Sequence, residues 1–130
     1  MVTTFHFINV GLGNMTLIQF LNGTNYLYDC NVTDANEDHV LGYLGKVLGE
    51  NTSIDAFICF YRDADHMRGL AKVFYDHPIP RILDAGVSGT TTDSPEYRDY
   101  MALRRILTTA VIKPRTFEEI GGTTIRWMNS

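Results

Sequence analysis

Hydrophobic and polar residues alternate over the first thirty positions of the chain, which predicts three short β-strands at 4–10, 15–21 and 25–30. In the first of these segments Phe5 and Phe7 fall on one side, and Gly11-Leu12-Gly13-Asn14 ends it. Between the second and third segments stands Asn22-Gly23, the dipeptide most typical of a two-residue hairpin turn. We therefore expect an antiparallel meander of three strands.

Beyond residue 30 the spacing changes to that of helices alternating with buried strands. A helix is predicted after Asp34-Ala35-Asn36-Glu37, on an apolar stripe between positions 40 and 48, and Gly49 ends it. Residues 54–60 are almost wholly apolar, which is typical of a strand covered on both faces. Further elements are predicted as a helix carrying Leu70, Val73 and Phe74, a strand at 82–83, a helix over 96–109, and strands at 111–112 and 123–128.

This order of elements predicts one layered α/β (α+β) domain over residues 1–130, with a mixed sheet and helices on one face. Hydrophobic residues make up 45% of the chain and charged residues 20%, which is close to the average of globular proteins and argues against disorder. No repeat, linker or low-complexity segment interrupts the sequence. A single domain with its own core is therefore expected.

The formal net charge of −4 excludes little, but it gives no support to nucleic-acid binding through phosphate contacts. A local basic patch would have to come from Arg104, Arg105, Lys113 and Arg115, and a solvated helix face followed by a loop explains the same residues. The chain starts without the charged and apolar regions of a signal peptide, and no apolar run reaches the ~18 residues of a membrane span. We therefore expect a cytoplasmic protein without a membrane partner.

Both cysteines lie in apolar stretches, Cys30 after Tyr-Leu-Tyr-Asp and Cys59 within Phe-Ile-Cys-Phe. Such isolated cysteines are more often small buried hydrophobic residues than a disulfide or a metal pair.

A cluster of chemically active side chains follows the apolar strand at 54–60, in the segment Tyr61-Arg62-Asp63-Ala64-Asp65-His66. Carboxylates and an imidazole on a tight loop can converge on one point, and together they suit zinc or manganese. The same residues also fit a helix start, with Asp63 or Asp65 as the N-cap and the acids favoured by the helix dipole. The spacing alone leaves both interpretations open.

Three segments together resemble successive motifs of the metallo-β-lactamase-fold family, and most closely its branch related to DNA-internalisation competence proteins. The segments are Phe7-Ile8-Asn9-Val10-Gly11-Leu12-Gly13-Asn14, Leu27-Tyr28-Asp29-Cys30 and Arg62-Asp63-Ala64-Asp65-His66-Met67-Arg68-Gly69. The resemblance runs over most of the chain, including the Asp84-Ala85-Gly86 turn. It implies the N-terminal half of a four-layer αββα sandwich whose members hydrolyse phosphodiester, ester, amide or thioester bonds at a dinuclear metal site between the two sheets.

Carried over residue by residue, the resemblance assigns Asp63 as a ligand of the first metal, and Asp65 and His66 as ligands of the second. Asp65 would also be the residue most closely tied to catalysis. Asp29 would match the supporting acid, which orients the site without binding metal.

Two departures from the family motif weaken this prediction. Tyr61 stands where the family has its leading His ligand, and a neutral phenol with a pKa near 10 is a poor zinc ligand. The later ligands of the family belong to a C-terminal half that these 130 residues do not contain. His6, His39 and His77 lie outside the motif and are interpreted as structural or solvated. We therefore expect no tightly bound cofactor, with zinc or manganese the metals of a functional site.

The eroded motif leads us to expect a non-catalytic, protein-binding derivative of the fold, such as an inhibitor or decoy. Half of a sandwich exposes the apolar face of its sheet, so a protein partner or a second copy in a homodimer would cover it. The alternative is a metal-dependent, nuclease-like or phosphodiesterase-like hydrolase that requires the missing half or a partner chain. A remnant of the fold without a selected function is the third interpretation.

The segment before the predicted helix at 96–109 has two interpretations. Thr91 and Asp93 could line a binding groove, because loops at strand ends often carry binding residues, and Tyr97 and Trp127 could be interface anchors. Alternatively Asp93 or Ser94 caps a helix that begins with Pro95, and Tyr97 belongs to the core.

Overall fold

A computed structural model describes residues 2–61, 63–86, 93–111, 117–120 and 123–126 of the chain. Within these ranges the helices are α1 (Glu37–Leu48), α2 (Leu70–Asp76) and α3 (Pro95–Ile106), with a short 3₁₀ turn at Ala64–His66. The strands are β1 (Thr4–Phe7), β2 (Thr16–Gln19), β3 (Asn25–Tyr28), β4 (Cys30–Asn31), β5 (Ala56–Cys59), β6 (Met67–Arg68), β7 (Arg81–Asp84), β8 (Thr108–Val111), β9 (Phe117–Ile120) and β10 (Thr123–Arg126).

The described strands form one six-stranded mixed sheet and two small ribbons. In the main sheet the order is β1-β2-β3-β5-β7-β8, in which β1, β2 and β3 are antiparallel and β3, β5, β7 and β8 are parallel. Strands β4 and β6 form a short parallel pair, and β9 and β10 form an antiparallel hairpin. The predicted meander of three strands is confirmed, and the Asn22-Gly23 turn is closed by a hydrogen bond from Phe20 N–H to the Thr24 carbonyl, 2.8 Å.

The sheet separates two apolar clusters. On one face Leu17, Leu27, Phe57 and Ile82 pack with residues of all three helices, among them Val40, Leu44, Leu70, Val73, Tyr97 and Tyr100. On the other face a smaller cluster of Ile18, Phe20, Tyr26, Ala56, Ile58 and Leu83 contacts Ile125 of β10. The predicted α/β (α+β) class, a mixed sheet with helices on one face, is therefore confirmed for the described part of the chain. Such layering is consistent with half of an αββα sandwich.

Helix α1 forms where the apolar stripe and the polar start signals coincide. Glu37 and Asp38 lie in its first turn, where the helix dipole favours acids, and Val40 and Leu44 are its buried residues. Before the helix, Asn36 Nδ2 donates to the Val10 and Asn31 carbonyls, at 3.0 and 2.9 Å, so the residue joins the helix start to the sheet. Gly49 follows at φ 89°, a backbone conformation that favours glycine.

The predicted helix over 96–109 is too long at its C-terminal end. Helix α3 ends at Ile106, and Thr108 to Val111 forms β8, which pairs in parallel with the edge of β7. Residues 108, 109 and 111 are β-branched, so hydrogen bonding to the sheet is favoured over a further helical turn. The predicted strand at 111–112 therefore corresponds to β8, which begins three residues earlier than predicted. Ile112, Trp127 and Met128 lie outside the described residues.

Candidate metal centre

The Asp- and His-containing segment lies at the carboxyl end of the central strand β5, where the chain leaves the sheet. All residues of β5 are buried, and the segment then turns through the 3₁₀ turn into β6. There Met67 and Arg68 pair with Cys30 and Asn31 of β4, directly after Asp29. This pairing brings the two sequence segments together at one edge of the parallel strands, the usual place of ligand sites in such sheets.

The three predicted metal ligands converge. Asp63, Asp65 and His66 each offer a ligand atom, and these atoms all lie within 4.8 Å of one another. Asp63 is exposed, and the other two are half-buried. The Nε2 atom of His66 lies 3.8 Å from Asp65 Oδ1, which is too long for a hydrogen bond, so the two atoms do not satisfy each other.

The helix-start interpretation of these acids is confirmed only in position. Asp63 is the N-cap residue of the 3₁₀ turn and Asp65 lies in its first turn, yet the Asp63 side chain makes no capping hydrogen bond within the described part of the chain. The N-cap of the following helix α2 is Gly69, with φ 75°. Side-chain capping therefore does not occupy the Asp63 carboxylate.

Asp29 holds the imidazole ring of His66. The carboxylate is 2% exposed, and its Oδ2 lies 2.9 Å from His66 Nδ1. Because an ionised carboxylate only accepts, Nδ1 is the donor in this contact, and in the neutral ring the lone pair is then on Nε2. Burial raises the pKa of Asp29, and the hydrogen bond and charge of His66 oppose that rise. A carboxylate that binds the far nitrogen of a histidine is the usual support of a metal-ligating imidazole.

The second oxygen of Asp29 lacks a partner among the described residues. Oδ1 is buried and makes no hydrogen bond there, whereas buried polar atoms are nearly always paired. Asp29 also stands at φ 59°, and its own N–H donates to the Ile58 carbonyl of β5, 3.0 Å. A buried acid with an unmet oxygen, next to half-exposed donors, is typical of a functional site.

The glycine-rich loop between β1 and β2 packs against Asp65, one of the candidate ligands. A Cβ at Gly13, which has φ +86°, would lie 3.1 Å from the Asp65 carbonyl and 3.2 Å from Asn31 Nδ2. Asn31 in turn donates to the Leu12 carbonyl at 2.7 Å and accepts from Arg68 at 3.0 Å. Glycine at position 13 therefore permits the close approach that fixes the backbone at Asp65.

Tyr61 lies beside the candidate ligands, and within the described part of the chain no hydrogen bond joins its side chain to them. Its side chain is 59% exposed, and its ring centroid lies 5.0 Å from that of His66 at an interplanar angle of 40°. The exposed phenol thus stands beside the imidazole of His66.

Tyr61 also borders a cavity of about 560 Å³ on the open face of the sheet. The lining is mostly apolar and aromatic, including Phe5, Phe20, Tyr28 and Phe60, and it is closed on one side by Thr123 to Arg126 of β10. A hydrogen bond between the Thr3 and Thr123 hydroxyls, 2.9 Å, ties the β9–β10 hairpin to the start of the chain. The open face is therefore only partly covered within the described residues.

Asp93 and Tyr97, two of the remaining predicted binding residues, are not part of the cluster of Asp63, Asp65 and His66. Tyr97 is 1% exposed and packs in the core, so its interpretation as an interface anchor is wrong. Asp93 is buried ahead of α3, where Ser94 Oγ accepts from the Tyr97 N–H at 3.2 Å and Pro95 opens the helix. The helix-start interpretation of this segment is thus confirmed, and Thr91 and Trp127 lie outside the described residues.

The histidines outside the motif are structural or solvated, as expected. His6 bonds to the Tyr43 hydroxyl at 2.7 Å and to Gln19 at 2.8 Å, which joins the sheet to α1. His77 Nδ1 donates to the Thr52 carbonyl at 2.8 Å, and His39 is exposed.

A second buried carboxylate, Asp84 at the end of β7, was not foreseen as a paired group. Its oxygens accept from the Tyr100 hydroxyl at 2.7 Å, from Arg104 Nε at 2.7 Å and Nη2 at 3.1 Å, and from the Gly86 N–H at 2.9 Å. Burial acts to raise the pKa of Asp84, but these bonds outweigh it and hold the pKa below its ordinary value.

The signal for this pairing was the spacing of Tyr100 and Arg104, one turn apart on α3. Arg104 is therefore engaged inside the fold and does not contribute to a basic patch, while Lys113 and Arg115 lie outside the described residues.

Comparisons with known proteins give one likeness. No protein-family model and no curated protein matches the sequence. Among solved structures, the chain is similar to the crystal structure of the metallo-β-lactamase IND-7, at 16% sequence identity and a TM-score of 0.47. The alignment covers 94% of this chain and 51% of that chain, so the sequence spans about half the length of the solved structure. A likeness of this strength carries no inference about ligands or activity.

Within the described residues, no helix combines the length and hydrophobicity needed to cross a membrane.

Proposed function

We propose that this chain forms one wall of a divalent-metal centre in a hydrolase of the metallo-β-lactamase fold, and that protein outside the described residues supplies the further ligands. The observation that carries the proposal is the 2.9 Å contact between buried Asp29 and His66 Nδ1, beside donor atoms that lie within 4.8 Å of one another. That contact prepares the imidazole to bind a cation through Nε2.

The donor set fits such an ion. Two carboxylates and a neutral imidazole suit zinc or manganese, and three protein ligands leave coordination positions open, as in catalytic sites. Oδ1 of Asp29, which has no hydrogen-bond partner among the described residues, adds negative charge beside the candidate ligands. A cation nearby would offset the burial that raises the pKa of this acid. On this ground the proposal departs from the expectation that no metal binds tightly.

Two roles follow for the residues of the cluster, metal binding and support of the His66 ring. Asp63, Asp65 and His66 would hold the ion, and Asp29 would keep the His66 ring in one orientation and one tautomer. A bound divalent ion supplies Lewis-acid polarisation of the substrate and lowers the pKa of water. The sequence resemblance implies hydrolysis of an ester-like bond, with phosphodiesters as the class we would assay first.

The test is a calorimetric titration of the metal-free chain, first with zinc and then, in a separate sample, with manganese. We expect saturable binding near one equivalent, and a loss of about 100-fold or more in affinity for Asp65→Ala. Asp99→Ala, an exposed acid on α3, is the matched control and should bind like the unaltered protein. Absence of saturable binding, or equal binding by Asp65→Ala, would contradict the proposal.

A second candidate function is a non-catalytic, protein-binding role as an inhibitor or decoy, with a second copy of the chain as the occupant of the open face. The observation that favours it is the incompletely covered apolar face, with Phe5 and Phe7 stacked at 6.4 Å and both exposed. Exposed aromatic clusters of this kind are typical of interaction surfaces.

Light scattering in chelator separates the two candidates. A dimer that persists in Asp65→Ala and dissociates in Phe7→Glu would favour the protein-binding role. A monomer in all three samples would argue against it.

A further inference from the structure

The thiol of Cys59 lies directly beneath the candidate metal loop, Tyr61 to His66. Cys59 is the last residue of β5, it is 3% exposed, and its side chain belongs to the apolar cluster on the helix face. Its Sγ donates to the Tyr61 carbonyl at 3.1 Å and lies 3.7 Å from the His66 carbonyl, also as a donor. These two carbonyls belong to the first and the last residue of the loop.

A thiol has one proton, so the two contacts share it as a three-centre hydrogen bond. Burial, followed by the charge of Asp29, raises the pKa of Cys59 to about 12, so the group stays a protonated donor at neutral pH. The same burial makes the thiol a poor nucleophile and a poor target for oxidation. Cys59 is a free cysteine, and its contacts are with backbone carbonyls.

Other contacts also constrain the described part of the loop, among them the bond of His66 to Asp29. A backbone hydrogen bond from the His66 N–H to the Asp63 carbonyl, 3.0 Å, closes the 3₁₀ turn, and Gly13 packs on Asp65 from above. The Cys59 thiol, at the end of β5, contacts the carbonyls of both the first and the last residue of the loop. Holding the ends at a fixed separation determines where Asp63 and Asp65 stand relative to the His66 ring.

We infer that Cys59 is a positioning residue of the metal centre, which holds the ligand loop closed through its thiol hydrogen bonds to the Tyr61 and His66 carbonyls. This inference rests on the proposed function, but its effect on the loop exists without metal. Supporting residues that lie outside the ligand set typically change metal affinity by about 10–100-fold.

The experiment compares Cys59→Ala, Cys59→Ser and the control Cys30→Ala. Cys30 is also a fully buried thiol that donates to a backbone carbonyl, at Arg68, 3.3 Å, outside the loop. We expect zinc affinity to fall about tenfold in Cys59→Ala, to recover most of that loss in Cys59→Ser, and to change little in Cys30→Ala. Denaturation should show similar stability losses for both alanine variants.

Hydrogen exchange of the His66 amide in metal-free protein tests the inference independently. We expect exchange about tenfold faster in Cys59→Ala than in unaltered protein or Cys30→Ala. Faster exchange without metal uptake by the unaltered protein would leave the role of Cys59 in the loop standing and overturn the proposed function. Unchanged exchange and affinity in Cys59→Ala, or equal losses in Cys30→Ala, would overturn the inference.

Discussion

Two buried carboxylates stand at the carboxyl ends of parallel strands in this protein, and their surroundings differ. Asp84, the last residue of β7, is 1% exposed and receives hydrogen bonds from Tyr100, Arg104 and the backbone N–H of Gly86. Asp29, after β3, is 2% exposed, contacts His66 through one oxygen, and has no partner for the other within the described chain. One carboxylate is saturated by the fold, and the other is not.

The pKa directions follow from this difference. At Asp84 the hydrogen bonds outweigh burial and the pKa is lowered, whereas at Asp29 burial outweighs the single His66 contact and the pKa is raised. A saturated buried acid stabilises the structure, because its charged form is better bound there than in water. A buried acid with an unfilled hydrogen-bonding position lowers the stability of the fold, and such a loss is typical of a functional site. The comparison indicates a structural role for Asp84, and under the proposed function Asp29 supports the metal ligands.

The largest effect we expect is on stability, from Asp84→Asn. This change leaves Arg104 without its anion and should lower the free energy of unfolding by about 3 kcal/mol at neutral pH, since removing one member of a buried pair costs 3–5 kcal/mol. Chemical denaturation in chelator measures the loss, with the exposed Asp99→Asn as control. Metal affinity should stay unchanged, and a large fall in affinity would show that the two carboxylates act as one unit.

The same variant has a predictable pH dependence. Because the pKa of Asp84 is lowered in the folded state, its stabilisation is present above the unfolded value of about 3.9 and is lost as pH falls through the folded value. The difference between unaltered protein and Asp84→Asn should therefore shrink in acid. A difference that grows below that pH would contradict the sign.

Asp29→Asn should show the opposite pattern, with metal affinity reduced about 10–100-fold and stability changed by less than about 1 kcal/mol. The amide keeps the size of the acid but removes the charge that holds the His66 tautomer. Titration calorimetry and denaturation on the same preparation supply both values. If Asp29→Asn loses as much stability as Asp84→Asn, Asp29 is a structural carboxylate and the comparison fails.

Tyr61→His tests the residue at the mouth of the site. An imidazole in place of the phenol would add a ligand of the type that the family motif carries, so zinc affinity should rise about tenfold, or ~1.4 kcal/mol. Tyr61→Phe should bind like the unaltered protein, because the phenol contributes no bond in the proposal. Equal affinities in all three proteins would place position 61 outside the metal's reach.

The smallest effect we expect is on stability, from the N-cap of the helix that holds Asp84. Ser94 caps α3, the helix that carries Tyr100 and Arg104, so Ser94→Ala should lower stability by about 1 kcal/mol. Thermal unfolding measures this, and metal affinity should not change. A stability loss below a few tenths of a kcal/mol would mean that the cap hydrogen bond is not needed for this helix start.

Local patterns predicted much of this fold because the physical causes are local. The Asn22-Gly23 turn, the α1 stripe and the Pro95 helix start each depend on neighbouring residues, and each lies where the sequence placed it. The end of α3 was misplaced because β8 depends on pairing with β7, which is distant in the chain. The β-branched residues of β8 suit a strand, but the edge of β7 with which they pair exists only in the folded sheet.

The site was predicted in part for the same reason. Asp63, Asp65 and His66 are near neighbours in sequence, and the resemblance to a known motif named Asp29 as their support. The close approach of Gly13 to Asp65 joins residues that are far apart in the chain. The contacts of Cys59 with the Tyr61 and His66 carbonyls are local, but they depend on how the loop turns back over the end of β5. No spacing rule contains that backbone path, so these supports emerged only from the structure.

The most direct test of the account is to observe the nitrogen atoms of the four histidines by NMR while one equivalent of zinc is added to the metal-free chain. We predict that His66 alone responds, with Nε2 taking the chemical shift of a metal-bound nitrogen and Nδ1 remaining protonated on Asp29. His6, His39 and His77 should keep their signals. An unchanged His66, or an equal response from exposed His39, would contradict the assignment of this cluster as a metal centre.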